Sequence, residues 1–366
     1  MNRSQLWVGG IALAMIALAL LLLLMRAQPA SQIVQAPSVT TAVDSATPAI
    51  PKPPSPTTPT MAPIALPPAQ HSDGEVVVHG RWGSAPGQFG RRRDPESSPE
   101  APMAVAAGAR GELAIVDQIN RRVQRWKDGK LRASVALGGD TAQDVALAPG
   151  GRTVVLDRLG DKNVQLYDAS GKLANELSLA GKGVPESGGV TGVFSDESGV
   201  YVEREHSALV RLGDANGQSD ATRPEWLGRP SRDGRTLVQV AIVERAAGEL
   251  RVSASDRASG QPSWTQTLRL GLPILHVVMV DTDRQGRVYI AADVGRESSV
   301  APFPIFDEQL LIFRLDASGA PHGALGLPPL PTGTESVRPI SVDDDGAIYV
   351  MTATDSGLTV TRYVLP

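Results

Sequence analysis

Asp117, Asn120 and Arg122 fall within six residues between two apolar runs, an acid, an amide and a guanidinium that could together hold a polar ligand. A second candidate is the run Arg91, Arg92 and Arg93, followed by Asp94, Pro95 and Glu96. It concentrates positive charge in a connecting segment, where binding residues tend to sit, and could hold an anion or an acidic patch of a partner. Acids cluster twice more, in Asp281-Thr282-Asp283 and Asp343-Asp344-Asp345, each just before a glycine. Oxygen ligands this close could bind calcium, with Asp283 and Asp344 as the candidate ligands. The same sequences are also ordinary turns.

Little else has the makings of catalysis. The five histidines, at 71, 79, 206, 276 and 322, are not in metal-ligand spacing. His276 stands in the apolar run Ile274-Leu275-His276-Val277-Val278, which reads as a core or channel-lining position. Cysteine is absent, which excludes disulfides, thiolate metal sites and cysteine nucleophiles. There is no Gly-x-Ser-x-Gly elbow and no phosphate-binding Walker loop. The formal charge is −4 without a long basic run, so no nucleic-acid partner is expected. Arginine outnumbers lysine and Ala, Gly and Pro are abundant, a composition typical of a GC-rich bacterial genome.

These residues need a scaffold, and the chain after Val76 supplies a repeating one. Short runs of Val, Ile, Leu, Tyr and Thr alternate with Gly, Asp, Asn and Pro clusters, which predicts an all-β fold. Each unit carries an apolar run, a glycine turn, an alternating strand, a polar loop and another strand. The turn glycines are at 111, 151, 199, 234, 286 and 346, separated by 35 to 60 residues. Such a period points to the blades of a β-propeller. Glycine is expected at each turn because a tight hairpin needs positive φ. The last unit stops at Tyr363-Val364-Leu365-Pro366 without an outermost strand, and an unpaired strand, Glu75 to His79, precedes the first. Closing the ring with that strand gives six blades, seven being the alternative count.

Trp82-Gly83, Gly87-Gln88-Phe89, Pro102, Val105, Gly111, Val116-Asp117, Asn120, Arg122-Val123-Gln124 and Gly129 together resemble an NHL repeat, over residues 81–130. Later units keep the strands and lose the Asn-x-Arg signature. The resemblance implies a propeller in which Asp117 and Asn120 satisfy turn groups and Arg122 packs between strands. It does not extend to the NHL-type amidating lyases, which use a histidine-rich metal centre and disulfides. Residues 254–264, from Ala254 to Trp264, are similar to the docking motif of pyrroloquinoline-quinone-type propellers, with Ser259 in place of Thr. The motif occurs once and implies a style of blade packing rather than a quinone site. The overall shape also resembles sugar-lactonase-like six-bladed rings, which bind calcium. Trp126, Trp226 and Trp264 are expected in blade cores.

Ahead of the propeller stand two further segments. Residues 6–25, from Leu6 to Met25, carry no charge, and a helix of that length spans ~30 Å, a bilayer's hydrocarbon core. No good cleavage site follows, so a retained signal anchor within residues 1–26 is expected. Residues 27–74, rich in Pro, Ala, Ser and Thr, read as a disordered tether, and residues 75–366 as the propeller. The expected topology is a single-pass membrane protein with a cytoplasmic N-terminus and the propeller in the periplasm or outside the cell. The leading function is a non-catalytic scaffold for a protein or glycan, with no cofactor. The alternatives are a calcium-type metal-dependent hydrolase or lyase, with Asp117, Asp157, Asp283 or Asp344 reaching the channel, and an envelope assembly factor.

Overall fold

A computed structural model describes residues 62–96, 98–331 and 335–365. The apolar run at 6–25 and the expected tether up to residue 61 lie outside the described residues. Among the described residues no helix is long and apolar enough to cross a membrane.

The six repeating units are six blades, each an antiparallel sheet of four strands ordered from the axis outward. The innermost strands are Ala104–Ala107, Asp144–Ala148, Val190–Asp196, Arg229–Pro230, Ile274–Thr282 and Ile340–Val342. Each reverses at its turn glycine. Five of these, Gly111, Gly151, Gly234, Gly286 and Gly346, take φ between 70° and 93° as expected. Gly199 does not use the left-handed region. It is required by crowding instead, since a Cβ there would fall 2.5 Å from the Gly213 carbonyl oxygen.

The ring closes as expected, and the count is six. Glu75–Arg81 is the outermost strand of blade 6, antiparallel to Gly357–Tyr363, with Val78 opposite Val360 and Gly80 opposite Leu358. The segment before it differs from the expected tether. Ile64–Ala65 pairs in parallel with Leu268 and Arg269 on the edge of blade 4, and Ala69–Gln70 pairs with Ala324 and Leu325 on the edge of blade 5. Residues 62–74 therefore strap two blade edges before entering the third. An edge strand presents unpaired N–H and C=O groups that any extended segment can satisfy. Proline holds this stretch extended, and Ile64 and Leu66 pack on the core between blades 4 and 5.

Neighbouring blades bury their faces against each other in apolar seams. Blades 2 and 3 meet through Leu156, Leu166, Val193 and Val202, and blades 6 and 1 through Phe89, Ile115, Trp126 and Val360. The seam between blades 3 and 4 is thin, with Tyr201, Leu209 and Leu237 at its centre. Ionic contacts supplement it. Arg257 of blade 4 pairs with Asp196 and lies 4.4 Å over the Tyr201 ring and 5.1 Å over Trp226.

Trp264 packs against the next blade. Its indole N–H donates to the Ala317 carbonyl in the next blade at 3.0 Å, while Asp256 accepts from the Ser259 amide at 2.8 Å and closes its own turn. The ring lies on Gly319, where φ is +87° and a Cβ would come within 2.6 Å of it. Gly319→Ala is expected to cost about 1–3 kcal/mol, through strain and overpacking together, as a lower urea midpoint with unchanged slope.

Candidate functional site

The turns of blades 1 to 4 border a recess of about 450 Å³ at one face of the ring, and the opposite face holds a smaller pocket at the channel mouth. Thr191 and Phe194 of blade 3, Arg229 and Val240 of blade 4, residues 277–281 of blade 5 and Arg338 and Ile340 of blade 6 line it. It encloses about 180 Å³.

Arginines from the starts of two inner strands form its floor. Arg229 binds Glu203 of blade 3 through Nε and Nη2, the latter at 2.9 Å, and donates Nη1 to the Val280 carbonyl at 3.1 Å. Arg338 donates Nη2 to Asp144 of blade 2 at 2.6 Å and to the Val193 carbonyl at 2.9 Å. Both guanidinium groups lie against Phe194, at 5.8 and 5.0 Å from its ring centre. Deeper in, Arg232 of blade 4 crosses the axis. It donates to Thr282 and Ala107 carbonyls at 2.8 Å, to the Val342 carbonyl, and to Asp281 and Asp344 at 3.3 and 3.4 Å. One side chain thus ties blade 4 to blades 1, 5 and 6.

Burial and pairing act differently on the two innermost acids. Burial raises the Asp144 carboxyl above its ordinary range, although Arg338 and the Val193 and Val145 amides oppose it. Burial also pushes Glu203 up, but the Arg229 charge and hydrogen bonds from His206, Arg229 and Thr191 outweigh it and hold the carboxyl well below its ordinary range. A depressed folded-state value means that Glu203 contributes its full stability above about 4.5 and loses it as pH falls below. Glu203→Gln is therefore expected to cost about 3 kcal/mol at pH 7, and the deficit should shrink by pH 3.5. Urea titrations at the two pH values check this.

The structure brings Asp117, Asn120 and Arg122 together. Asp117 is fully buried and accepts from Asn120 Nδ2 at 2.9 Å, Arg122 Nε at 2.8 Å and the Gly90 amide at 2.8 Å. Arg122 continues to the Ser84, Ala85 and Gln88 carbonyls, and Asn120 to the Gly83 carbonyl. The trio clamps residues 83–90 onto blade 1. Arg91, Arg92 and Arg93 diverge. Arg91 and Arg93 reach Asp355 of blade 6, and Arg92 reaches Asp140 and Glu100.

The candidate metal ligands do not meet. Asp283 is buried and accepts from the Gln285 and Arg287 amides, Arg287 Nε and the Tyr289 hydroxyl. Asp344 pairs with Arg284 and Arg232. Asp157 accepts from the Leu159 and Gly160 amides in its own turn and from Thr141. Among the described residues no three His, Asp or Glu side chains converge to hold a metal ion. His276 is exposed rather than in the core or channel, and it pairs with Asp293 at 3.0 Å.

Sequence reasoning missed the channel cluster. One signal marks two of its members: Arg229-Pro230 and Arg338-Pro339, where a charged residue opens an inner strand. It missed a second recurring device too. Asp283, Gly286 and Tyr289 recur as Asp343, Gly346 and Tyr349, each tyrosine donating to its turn aspartate at 3.0 or 3.1 Å. Burial first, and then the neighbouring aspartate, pushes both hydroxyls up to about 12.

No family model and no curated protein matches the chain. Similar solved structures include a gluconolactonase from Xanthomonas campestris, 16% identical with a TM-score of 0.42 over 82% of this chain and 98% of that one. A calcium-binding regucalcin from Agrobacterium tumefaciens is 14% identical, with a TM-score of 0.41 over 83% and 96%. Virginiamycin B lyase from Staphylococcus aureus is 10% identical, with a TM-score of 0.38 over 72% and 95%. At these identities the likeness is one of fold alone.

Proposed function

We propose that this chain is an NHL-type propeller, anchored by residues 6–25 with the ring outside the cytoplasm, that acts as a non-catalytic docking module for a protein. One observation carries the reading. In blade 5, Val288–Glu297 and Ile305–Leu315 are 10 and 11 residues long, against six for each counterpart in blade 1. The extra length forms a hairpin whose tip exposes Val300 at 69%, Phe303 at 53%, Ile305 at 41% and Phe306 at 54%. Apolar side chains gathered at a tip lose free energy to water and are recovered by a partner.

Charge separates a protein from a lipid surface as that partner. Glu297, Asp307 and Glu308 flank the tip, with Arg296 pairing Asp307. Anionic lipid headgroups favour lysine and arginine, so this acidic rim suits an apolar cleft edged by basic side chains. The NHL reading is supported by the Asp117–Asn120–Arg122 clamp, which occupies the positions of the repeat signature.

The chain lacks cysteine, so Phe303→Cys gives a single point for a photocrosslinker in the native envelope. One protein adduct is expected, at least tenfold weaker in a Phe306→Glu background and in Glu297→Lys/Glu308→Lys. Adducts to lipid only, or an adduct indifferent to both backgrounds, would overturn the reading.

A further inference from the structure

The hairpin of blade 5 and the channel mouth open on the same face of the ring. Val288–Glu297 starts beside the Gly286 turn and runs to the opposite end of the blade, and at that end Arg229 and Arg338 stand at the starts of their inner strands. At ~3.3 Å per residue, 10 residues where blade 1 uses six carry the tip about 13 Å further out. A tip that stands so far above its blade can enter a recess in a facing surface.

The channel-mouth pocket has the chemistry that such a tip needs. Its walls are aliphatic, with Val240 of blade 4, Val278 of blade 5 and Ile340 of blade 6. Its volume of about 180 Å³ suits one aromatic ring and not two, since an apolar cavity of about 150 Å³ holds a benzene molecule. Arg229, Arg338 and His206 line it, whereas their partners Glu203 and Asp144 do not, so the acids lie behind the cations. The acid in the lining, Asp281, is already engaged by the Val342 amide at 2.9 Å and by Arg232 at 3.3 Å. A phenyl group that brings carboxylates with it therefore meets apolar walls and the positive side of each ion pair.

From this we infer that the docking partner of the hairpin is a second copy of this chain, with Phe306 of each copy seated in the channel-mouth pocket of the other. Phe306 is held in place by strand pairing opposite Arg296, and Asp307 and Glu308 follow it directly. Because tip and pocket share one face, a two-fold axis between two facing rings makes both contacts at once and leaves no tip or pocket unmatched. This pairing rests on the hairpin's being a docking element, and it supplies the identity of what the hairpin meets.

In the test, two differently tagged full-length copies, one carrying Phe306→Cys and the other Val278→Cys, are co-expressed in the native envelope and mildly oxidised. The chain has no cysteine of its own, so a disulfide joining the two tags reports that one contact. The linked pair is expected at least tenfold above a control of Phe306→Cys with Leu159→Cys, on blade 2, which is 59% exposed and so favoured by chance collision. Val240→Cys, on the blade 4 wall, provides a second trap should Val278→Cys not fold. The adduct formed through Phe303→Cys should have twice the mass of the chain, and Val278→Glu should reduce it at least tenfold. No disulfide above the control in a folded trap overturns the pairing. If the Phe303→Cys crosslinker then captures a different protein, the hairpin still docks and only the identity of its partner falls. If it captures nothing, the docking role of the hairpin falls as well.

Discussion

Asp117→Ala is expected to lower the unfolding free energy by about 3–5 kcal/mol and Tm by roughly 6–15 °C. Asp117 has no exposure to solvent and meets four donors: the Gly90 amide, Asn120, Arg122 and, at 3.2 Å, Gln124. Truncating it leaves the Arg122 guanidinium, mostly buried, without its counter-ion, and the penalty is that of the orphaned charge rather than of one hydrogen bond. The damage should begin locally. Arg122 and Asn120 hold residues 83–90, and that loop seats the fully buried Phe89, whose ring lies 6.2 Å from Trp126. Hydrogen exchange should rise across residues 83–90 before the rest of the ring opens. Asp117→Asn keeps an acceptor and should lose less than half as much. A loss under 1 kcal/mol for Asp117→Ala would mean that the clamp is not what holds the loop.

Val78→Asp is expected to cost about 4 kcal/mol or more, because it places a carboxylate in the closing strand's buried face. Val78 is 1% exposed, opposes Val360 and packs in the seam shared by blades 6 and 1. Val76, in the same strand, is 58% exposed, so Val76→Asp should change stability by no more than about 0.5 kcal/mol. The two variants carry the same charge in one strand and differ in the face they occupy. Urea unfolding measures the difference, and hydrogen exchange along Gly357–Tyr363 should report the opened seam. Equal effects of the two substitutions would mean that this strand does not seal the ring.

Much of the architecture was readable from local chemistry. Gly111, Gly151, Gly234, Gly286 and Gly346 punctuate strands because a two-strand reversal needs a left-handed residue at a defined place, and that need is met within a few residues. The closing strand was readable because a blade missing its outermost strand and an unpaired strand elsewhere imply each other. Gly199 shows the edge of that reasoning. Its position was anticipated, but its cause, the Gly213 carbonyl pressing from the next strand, belongs to packing.

Two features were decided by tertiary structure alone. Backbone hydrogen bonds hold the strap at 64–65 and 69–70 to blades 4 and 5, and such bonds leave no side-chain signature in a proline-rich stretch. The channel cluster gathers Asp144, Glu203, Arg229, Arg232, Asp281 and Arg338 from five blades, with 194 residues separating Arg338 from the carboxylate it binds. Each stands in a segment of its own, indistinguishable from a solvated charge until the ring closes. Local rules act over the few residues of a turn or strand, so the sequence by itself determined the blades, their turns and their order. The axis exists only when all six blades meet, so the tertiary structure alone decided which charges face one another there.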